Sequence, residues 1–199
     1  MIRRPDKPID ERGGMDWLGP EFLTWLWWRA GVTPEFAEIA GVAGGGRAGP
    51  KRDGTTLFVH VDEFLELRGE RAAARRTSLR AGMPGASAEG KVALRHGKVV
   101  TAARLLFARG EEETALTLKA EDLDLSAVKL PSIDSADAEE RLSSSLTAAR
   151  RVYEDLDLLY RTFLEVRCGD RWEAEVRTMR AWVGAPSEEE RSVGAIRAS

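Results

Sequence analysis

Cysteine is almost absent from this chain: Cys168 stands alone, so no internal disulfide can form. Only two histidines, His60 and His96, accompany it, which all but excludes a zinc site of the His/Cys type. Long apolar runs are missing as well. None approaches the roughly 18 residues that a membrane span needs, and the opening Met1-Ile2-Arg3-Arg4-Pro5-Asp6 has no apolar h-region. A cytoplasmic chain is the expectation. Net charge is small too. Lys plus Arg is 30 and Asp plus Glu is 33, a formal charge of −3. That excludes a basic coat over the whole chain but not over one face.

What is present is the composition of an ordinary globular chain: 43% hydrophobic and 32% charged over 199 residues. The length suits one domain or two small ones. Its charge is unevenly spread. Between Arg68 and Arg109 stand ten basic residues, namely Arg68, Arg71, Arg75, Arg76, Arg80, Lys91, Arg95, Lys98, Arg104 and Arg109. Only Glu70 and Glu89 oppose them, a net of +8, whereas ten Arg against fourteen acids leave residues 132–199 at −4. A basic segment inside an acidic chain is the pattern of a local phosphate-binding face. A general preference for Arg over Lys (24 against 6) accounts for the choice of base, but not for the missing acids.

Residues 1–16 read as a flexible arm without a fold of its own. Gly19-Pro20-Glu21-Phe22-Leu23-Thr24-Trp25-Leu26-Trp27-Trp28-Arg29-Ala30-Gly31 reads as a short helix. Pro20 suits its first turn, Glu21 its positive end, Arg29 its negative end and Gly31 its stop. Apolar residues surround it, so burial on more than one side is expected. Its tryptophans suit a core or a subunit interface better than a base-stacking platform. The glycine-rich stretch 41–54 lacks the GxxxxGK[ST] phosphate-loop pattern and reads as a linker or mobile loop.

Leu57–Val61 and Leu65–Arg68 read as two strands of a hairpin turning at Asp62-Glu63, with a third strand over Ala73–Arg80. Ser87 is placed to cap a helix running through Lys91, Leu94 and Arg95, and Gly97 to stop it. Lys98–Arg109 and Thr114–Lys119 form a second hairpin around Gly110-Glu111-Glu112. After Pro131 the pattern changes. Asp137 is placed to cap a long helix whose Leu142, Leu146, Ala149, Tyr153, Leu156, Tyr160 and Phe163 recur at 4-3 spacing. This is a heptad seam, widened by Val152, Leu159 and Val166. Gly169 ends it, and Asp170 is placed to cap a second helix with Trp172, Val176, Met179 and Val183 on one face. The two helices either fold back as an antiparallel hairpin or pair two chains through the seam.

The expected fold class is therefore α+β: antiparallel β-hairpins with a short Trp-rich helix, followed by a long-helix hairpin. An α+β domain spans residues 17–131 with the basic segment at 68–109, a helical hairpin spans 132–185, and a flexible acidic tail follows at 186–199. No catalytic constellation is legible. Neither histidine lies near a serine or cysteine in a motif. Cys168, in the last turn of an apolar helix, reads as a small packing residue. Glu111-Glu112-Glu113 and Glu188-Glu189-Glu190 read as a solvated turn and tail. The D-x-D spacing of Asp122 and Asp124 is only weak evidence for a magnesium site. No enzyme, metal or cofactor is expected.

The phrase from Gly19 to Arg29 resembles the (L)G-x-E-F-L-x-W-L-W-x-R signature of RdgC-like recombination-associated proteins. Two further pieces agree in order and spacing. One is Ala93-Leu94-Arg95-His96-Gly97-Lys98-Val99-Val100-Thr101, like that family's helix-to-strand "GKVV" junction. The other is Leu118-Lys119-Ala120-Glu121 running to Leu130-Pro131 before a long helix. The resemblance covers about residues 17–183 and its motifs are structural rather than catalytic. It implies a non-enzymatic protein that binds duplex DNA with little sequence preference, as a dimeric ring with a basic interior, and restrains a RecA-type recombinase. Part of 68–109 would line that wall. Typical members are longer before the Trp-rich helix, so a contact that completes the ring is expected to be missing here, which leaves an open dimer or an adaptor without DNA binding as alternatives.

Two functions follow for comparison with the structure. In the first, the chain binds duplex DNA without sequence preference, in recombination control or nucleoid organisation. Arg68, Arg71, Arg75, Arg76, Arg80, Arg95, Lys98 and Arg104 then neutralise phosphates. In the second it is a protein–protein adaptor or assembly subunit, using the apolar helix 20–28 and the 142–163 seam. For a homodimer the expected interface residues are Trp25, Trp28, Leu146, Tyr153 and Tyr160. The arrangement of the arginines discriminates: one shared face favours DNA, whereas scatter or pairing with acids of the C-terminal helices favours the adaptor.

Overall fold

The computed structural model of the chain describes residues 18–36, 56–69, 76–80, 87–133 and 135–185. The arm 1–16, the glycine-rich stretch 41–54 and the tail 186–199 lie outside the described residues, as do Arg71 and Arg75. In chain order the elements are α1 (Leu18–Val32), β1 (Glu35–Phe36), β2 (Leu57–Arg68), β3 (Arg76–Leu79), α2 (Ala88–Arg95), β4 (Val99–Arg109), β5 (Glu112–Lys119), β6 (Leu125–Lys129), α3 (Ala138–Cys168) and α4 (Trp172–Gly184). The strands form an antiparallel sheet in the order β1-β2-β4-β5-β6, with β3 also on β2. The class is α+β.

Residues 57–68 are not the hairpin the sequence suggests. They form the single strand β2, and both halves pair with β4. Val61 pairs with Leu105 and Leu65 with Ala103, so Asp62, Glu63 and Phe64 oppose Arg104 alone. Glu63 takes up the excess in a left-handed conformation at φ 44°, which makes the segment a bulge rather than a turn. Of the third strand expected over Ala73–Arg80, the structure shows β3 at Arg76–Leu79, and residues 73–75 lie outside the described residues. β6 and the two-residue β1 carry too little alternation to be foreseen. The β4–β5 hairpin forms as expected, in register from Ala102↔Lys119 to Arg109↔Glu112.

α1 lies between the sheet and the C-terminal helices. Thr24 Oγ1 accepts from Val100 N–H of β4, and Leu65, Leu67, Leu105 and Leu116 fill the sheet side of the core. On the other side Phe22 meets Tyr160 and Phe163, Trp25 meets Phe163, and Trp27 meets Trp182 edge-on at 5.2 Å. That double burial explains why the helix is apolar all round. Gly19 is required: a Cβ there would lie 1.7 Å from the Ala120 carbonyl oxygen. α2 begins at Ser87, whose hydroxyl accepts from Gly90 N–H, and stops at Gly97 with φ 80°.

Asp137 caps α3 by accepting from Glu139 N–H. Its buried stripe is Val152, Asp155, Leu159, Phe163 and Val166, rotated from the predicted seam toward the residues expected only to widen it. Leu142, Leu146 and Tyr153 are 62%, 63% and 65% exposed. At about 1.5 Å per residue, the helix reaches beyond the core that its C-terminal half covers. Asp170 does not cap α4. Arg171 occupies that position, without a side-chain cap bond. α4 buries Met179 and sets Trp172, Val176, Trp182 and Val183 against the core, so its apolar face is the expected one.

Candidate nucleic-acid interface

Strand alternation sends every second residue to each face of the sheet. Leu57, Val59, Val61, Leu65 and Leu67 of β2, with Ala103, Leu105 and Phe107 of β4, point toward α1 and the rest of the core. The opposite face carries Phe58, His60, Phe64, Glu66 and Arg68 of β2, Arg76 and Ser78 of β3, and Ala102, Arg104, Leu106 and Ala108 of β4. Register extends it through Thr117 and Lys119 of β5 and Lys129 of β6. α1 and α2 pack on the first face with α3 and α4 behind them, and among the described residues no helix covers the second.

Of the eight residues expected to meet phosphate, four share this open face. Arg68 and Arg76 are cross-strand partners. Both pair with Glu66: Arg68 Nε donates to Oε1 at 2.7 Å, and Arg76 Nη2 lies 2.6 Å from Oε2. Arg80, following β3, sets its guanidinium carbon 5.5 Å from the centre of the Phe64 ring. Arg104 emerges opposite the β2 bulge, its Nε 3.5 Å from Glu63 Oε2 and 3.9 Å from Asp62 Oδ2. Lys119 joins them, paired to Asp124 at 3.0 Å.

Two of the other four are placed elsewhere, and two lie outside the described residues. Arg95 reaches the end of α4, where Nε donates to the Val183 carbonyl at 2.8 Å and Nη2 to that of Ala185 at 3.5 Å. This satisfies carbonyls at a helix C-terminus, where a cation is favoured. Lys98 Nζ donates to Thr77 Oγ1 at 2.6 Å, tying β3 to the α2–β4 junction. Arg71 and Arg75 belong to the connection between β2 and β3, outside the described residues. Arg109 lies on the core-facing side of the sheet. It donates from Nε and Nη2 to Asp155 Oδ1 of α3, at 3.0 and 2.5 Å.

The residues expected to meet a second chain divide as well. Trp25 is 1% and Trp28 4% exposed; their rings are spent on this chain's own core and leave no area for a partner. Tyr160 is half-buried against Phe22, edge-on at 5.2 Å. Leu146 and Tyr153 face solvent with Leu142, along the first half of α3.

Two buried charges, Glu66 and Asp155, escaped the sequence reading, as did the ion pair of the half-buried Glu21. Glu66 lies between Leu65 and Leu67, where a short hairpin strand is expected; the pairing of β2 with both β3 and β4 encloses it. Asp155 falls beside the heptad seam, and its partner Arg109 continues the alternation of Ala103, Leu105 and Phe107, a signal that was present. Glu21 of α1 accepts from Arg167 Nε of α3 at 2.7 Å. Burial pushes the Glu21 carboxyl above the ordinary glutamate value, while the hydrogen bond and charge of Arg167 oppose that shift.

Cys168 is exposed rather than packed. Arg151 pairs with Glu112, so the turn after β4 is tied to α3. Among the described residues no three His, Cys, Asp or Glu side chains gather as a metal site would require, and no helix is long and apolar enough to cross a membrane. No protein-family model matches the chain, and no curated protein matches it.

Proposed function

We propose that this chain is a non-catalytic protein that binds duplex DNA without sequence preference, in recombination control or nucleoid organisation. The observation that carries the reading is the gathering of Arg68, Arg76, Arg80 and Arg104 on a sheet face that no described helix covers. Lys119 and Lys129 extend that face, so about six cations are available for phosphate oxygens. Phosphate contacts position a protein on the duplex and carry no base readout, hence the absence of a preferred site. Glu66 holds Arg68 and Arg76 in place, Asp62 and Glu63 stand 3.9 and 3.5 Å from Arg104, and the phosphates share those cations with the carboxylates. The resemblance to RdgC-like proteins points to the same activity, with association to the nucleoid.

Fluorescence anisotropy of a labelled random-sequence duplex, titrated at several salt concentrations, tests the reading. About six phosphate contacts predict a loss of affinity on the order of 10³-fold between 50 and 200 mM salt. A flat salt response, or no binding at low salt, contradicts it.

A second reading has its own observation. The exposed Leu142, Leu146 and Tyr153 on the first half of α3 suit an adaptor or assembly surface, including a homodimer. Sedimentation of wild type and Leu146→Glu separates the two: the adaptor requires an assembly that this substitution dissolves, and DNA binding by a monomer does not.

A further inference from the structure

Arg68 and Arg76 face each other directly across β2 and β3. Like charges in that position destabilise a strand pair, yet both side chains remain 59% exposed and neither turns away. The reason lies beneath them. Alternation points Glu66 to the same face two residues before Arg68, and its side chain is only 6% exposed. Its two carboxylate oxygens are divided between the arginines, Oε1 to Arg68 and Oε2 to Arg76. Thr101 Oγ1 of β4 adds a third hold, 3.3 Å from Oε1. A carboxylate this buried is tolerated only when paired and hydrogen-bonded, and here three elements supply the partners.

The cluster carries two positive charges and one negative, a net of +1. A guanidinium has five N–H donors in a planar fork, and one nitrogen of each is committed to Glu66. The forks therefore stand side by side at the surface, with their orientation set from below, a geometry that matches phosphate oxygens. We propose that Arg68 and Arg76 form a phosphate clamp and that Glu66 is its positioning residue. This rests on the duplex-DNA reading and deepens it, because it predicts that removing a negative charge from the cationic face weakens binding.

The experiment compares wild type, Glu66→Gln, Arg68→Ala/Arg76→Ala and the triple combination, on the same labelled random-sequence duplex at several salt concentrations. Each contact removed lowers the log–log salt slope by about 0.9. Glu66→Gln is expected to lower it by up to about 1.8 and to weaken binding on the order of tenfold at the lower salt. The arginine pair loses at least as much, and Glu66→Gln adds nothing in its background. Glu66→Asp, which keeps the charge, retains part of the slope that Gln loses. Tighter binding by Glu66→Gln with an unchanged slope overturns the proposal. So does an unchanged slope in Arg68→Ala/Arg76→Ala, which decides the matter even where Glu66→Gln does not fold.

A second readout is independent of DNA. In nitrogen-resolved NMR spectra, inorganic phosphate is expected to shift the Nε–H signals of Arg68 and Arg76 in wild type more than in Glu66→Gln. Wild type that ignores the duplex while these signals respond overturns the DNA reading and leaves the clamp. Wild type that binds the duplex while they do not respond, with slopes unaffected by the arginine pair, overturns the clamp and leaves the DNA reading.

Discussion

The two faces of the sheet are built from the same strands, one residue out of step, and they solve opposite problems. On the helix-covered face Leu105, Phe107, Leu65 and Leu67 are buried against α1, whose far side is buried again by α3 and α4. On the open face Arg104, Leu106, Glu66 and Arg68 alternate with them, and charge is managed by short ion pairs instead of being excluded. Apolar burial supplies the stability, at roughly 25 cal/mol per Å². Exposed ion pairs contribute about 0–1 kcal/mol each, so the open face is free to carry cations for another purpose. The arginines of β2 and β3 and the acids of α3 and α4 belong to opposite sides of α1, and the open face carries its own acids, Asp62, Glu63 and Glu66, beside its cations.

Arg109 is the exception, a cation on the covered face, and it gives the strongest way to break the contrast. Its partner Asp155 has a side chain only 7% exposed. Asp155→Ala removes the buried carboxylate to which the guanidinium donates twice and is expected to cost about 3–5 kcal/mol, read from the denaturant midpoint. A loss below about 1 kcal/mol would mean that Arg109 escapes to solvent. Next comes a pair of neighbours on β4. Leu105→Ala, on the covered face, is expected to cost about 2–5 kcal/mol, whereas Leu106→Ala, one residue on and on the open face, should cost less than about 1 kcal/mol. Equal losses would mean that both faces are core.

The same contrast runs along α3, between its packed second half and its projecting first half. Leu146→Ser should leave monomer stability within about 0.5 kcal/mol; a large loss that grows at higher protein concentration would show that the seam is covered by another chain. The smallest effect concerns pH. Glu21 binds its proton more tightly folded than unfolded. Its contribution to stability is therefore fully present below the ordinary glutamate pKa and is lost as pH rises through the raised value. Glu21→Gln is expected to flatten that part of the stability profile, measured by denaturant midpoints across the mildly acidic range.

Much of this was legible in the sequence because its signals are local. Ser87 and Gly97 bound α2 by cap chemistry, Asp137 and Gly169 bound α3, and the all-apolar circumference of Phe22–Trp28 announced a helix buried on two sides. The misreadings have non-local causes. Asp62-Glu63 looks like a turn because two acids between apolar runs usually make one, and only the continuous pairing of β2 with β4 turns it into a bulge. The heptad seam of α3 was drawn from spacing alone, yet which stripe is buried depends on where the sheet meets the helix, and that selected Val152, Asp155, Leu159 and Phe163. The +8 segment was visible as a count, but the count does not say which arginines turn outward. Strand parity sends Arg68, Arg76 and Arg104 to the open face, whereas Arg95 is claimed by the end of α4 and Arg109 by Asp155.

In the proposed function a particular face, not net charge, meets DNA. The most direct measurement compares two variants that each lose three positive charges. One is Arg68→Gln/Arg80→Gln/Arg104→Gln, on the open sheet face. The other is Arg161→Gln/Arg177→Gln/Arg180→Gln, on the exposed surfaces of α3 and α4. Duplex affinity and its salt slope are read for both beside wild type. The sheet variant is expected to lower the slope by up to about 2.7, at about 0.9 per phosphate contact, and the helix variant to leave it near wild type. Equal losses in the two variants, or a loss confined to the helices, would contradict that reading.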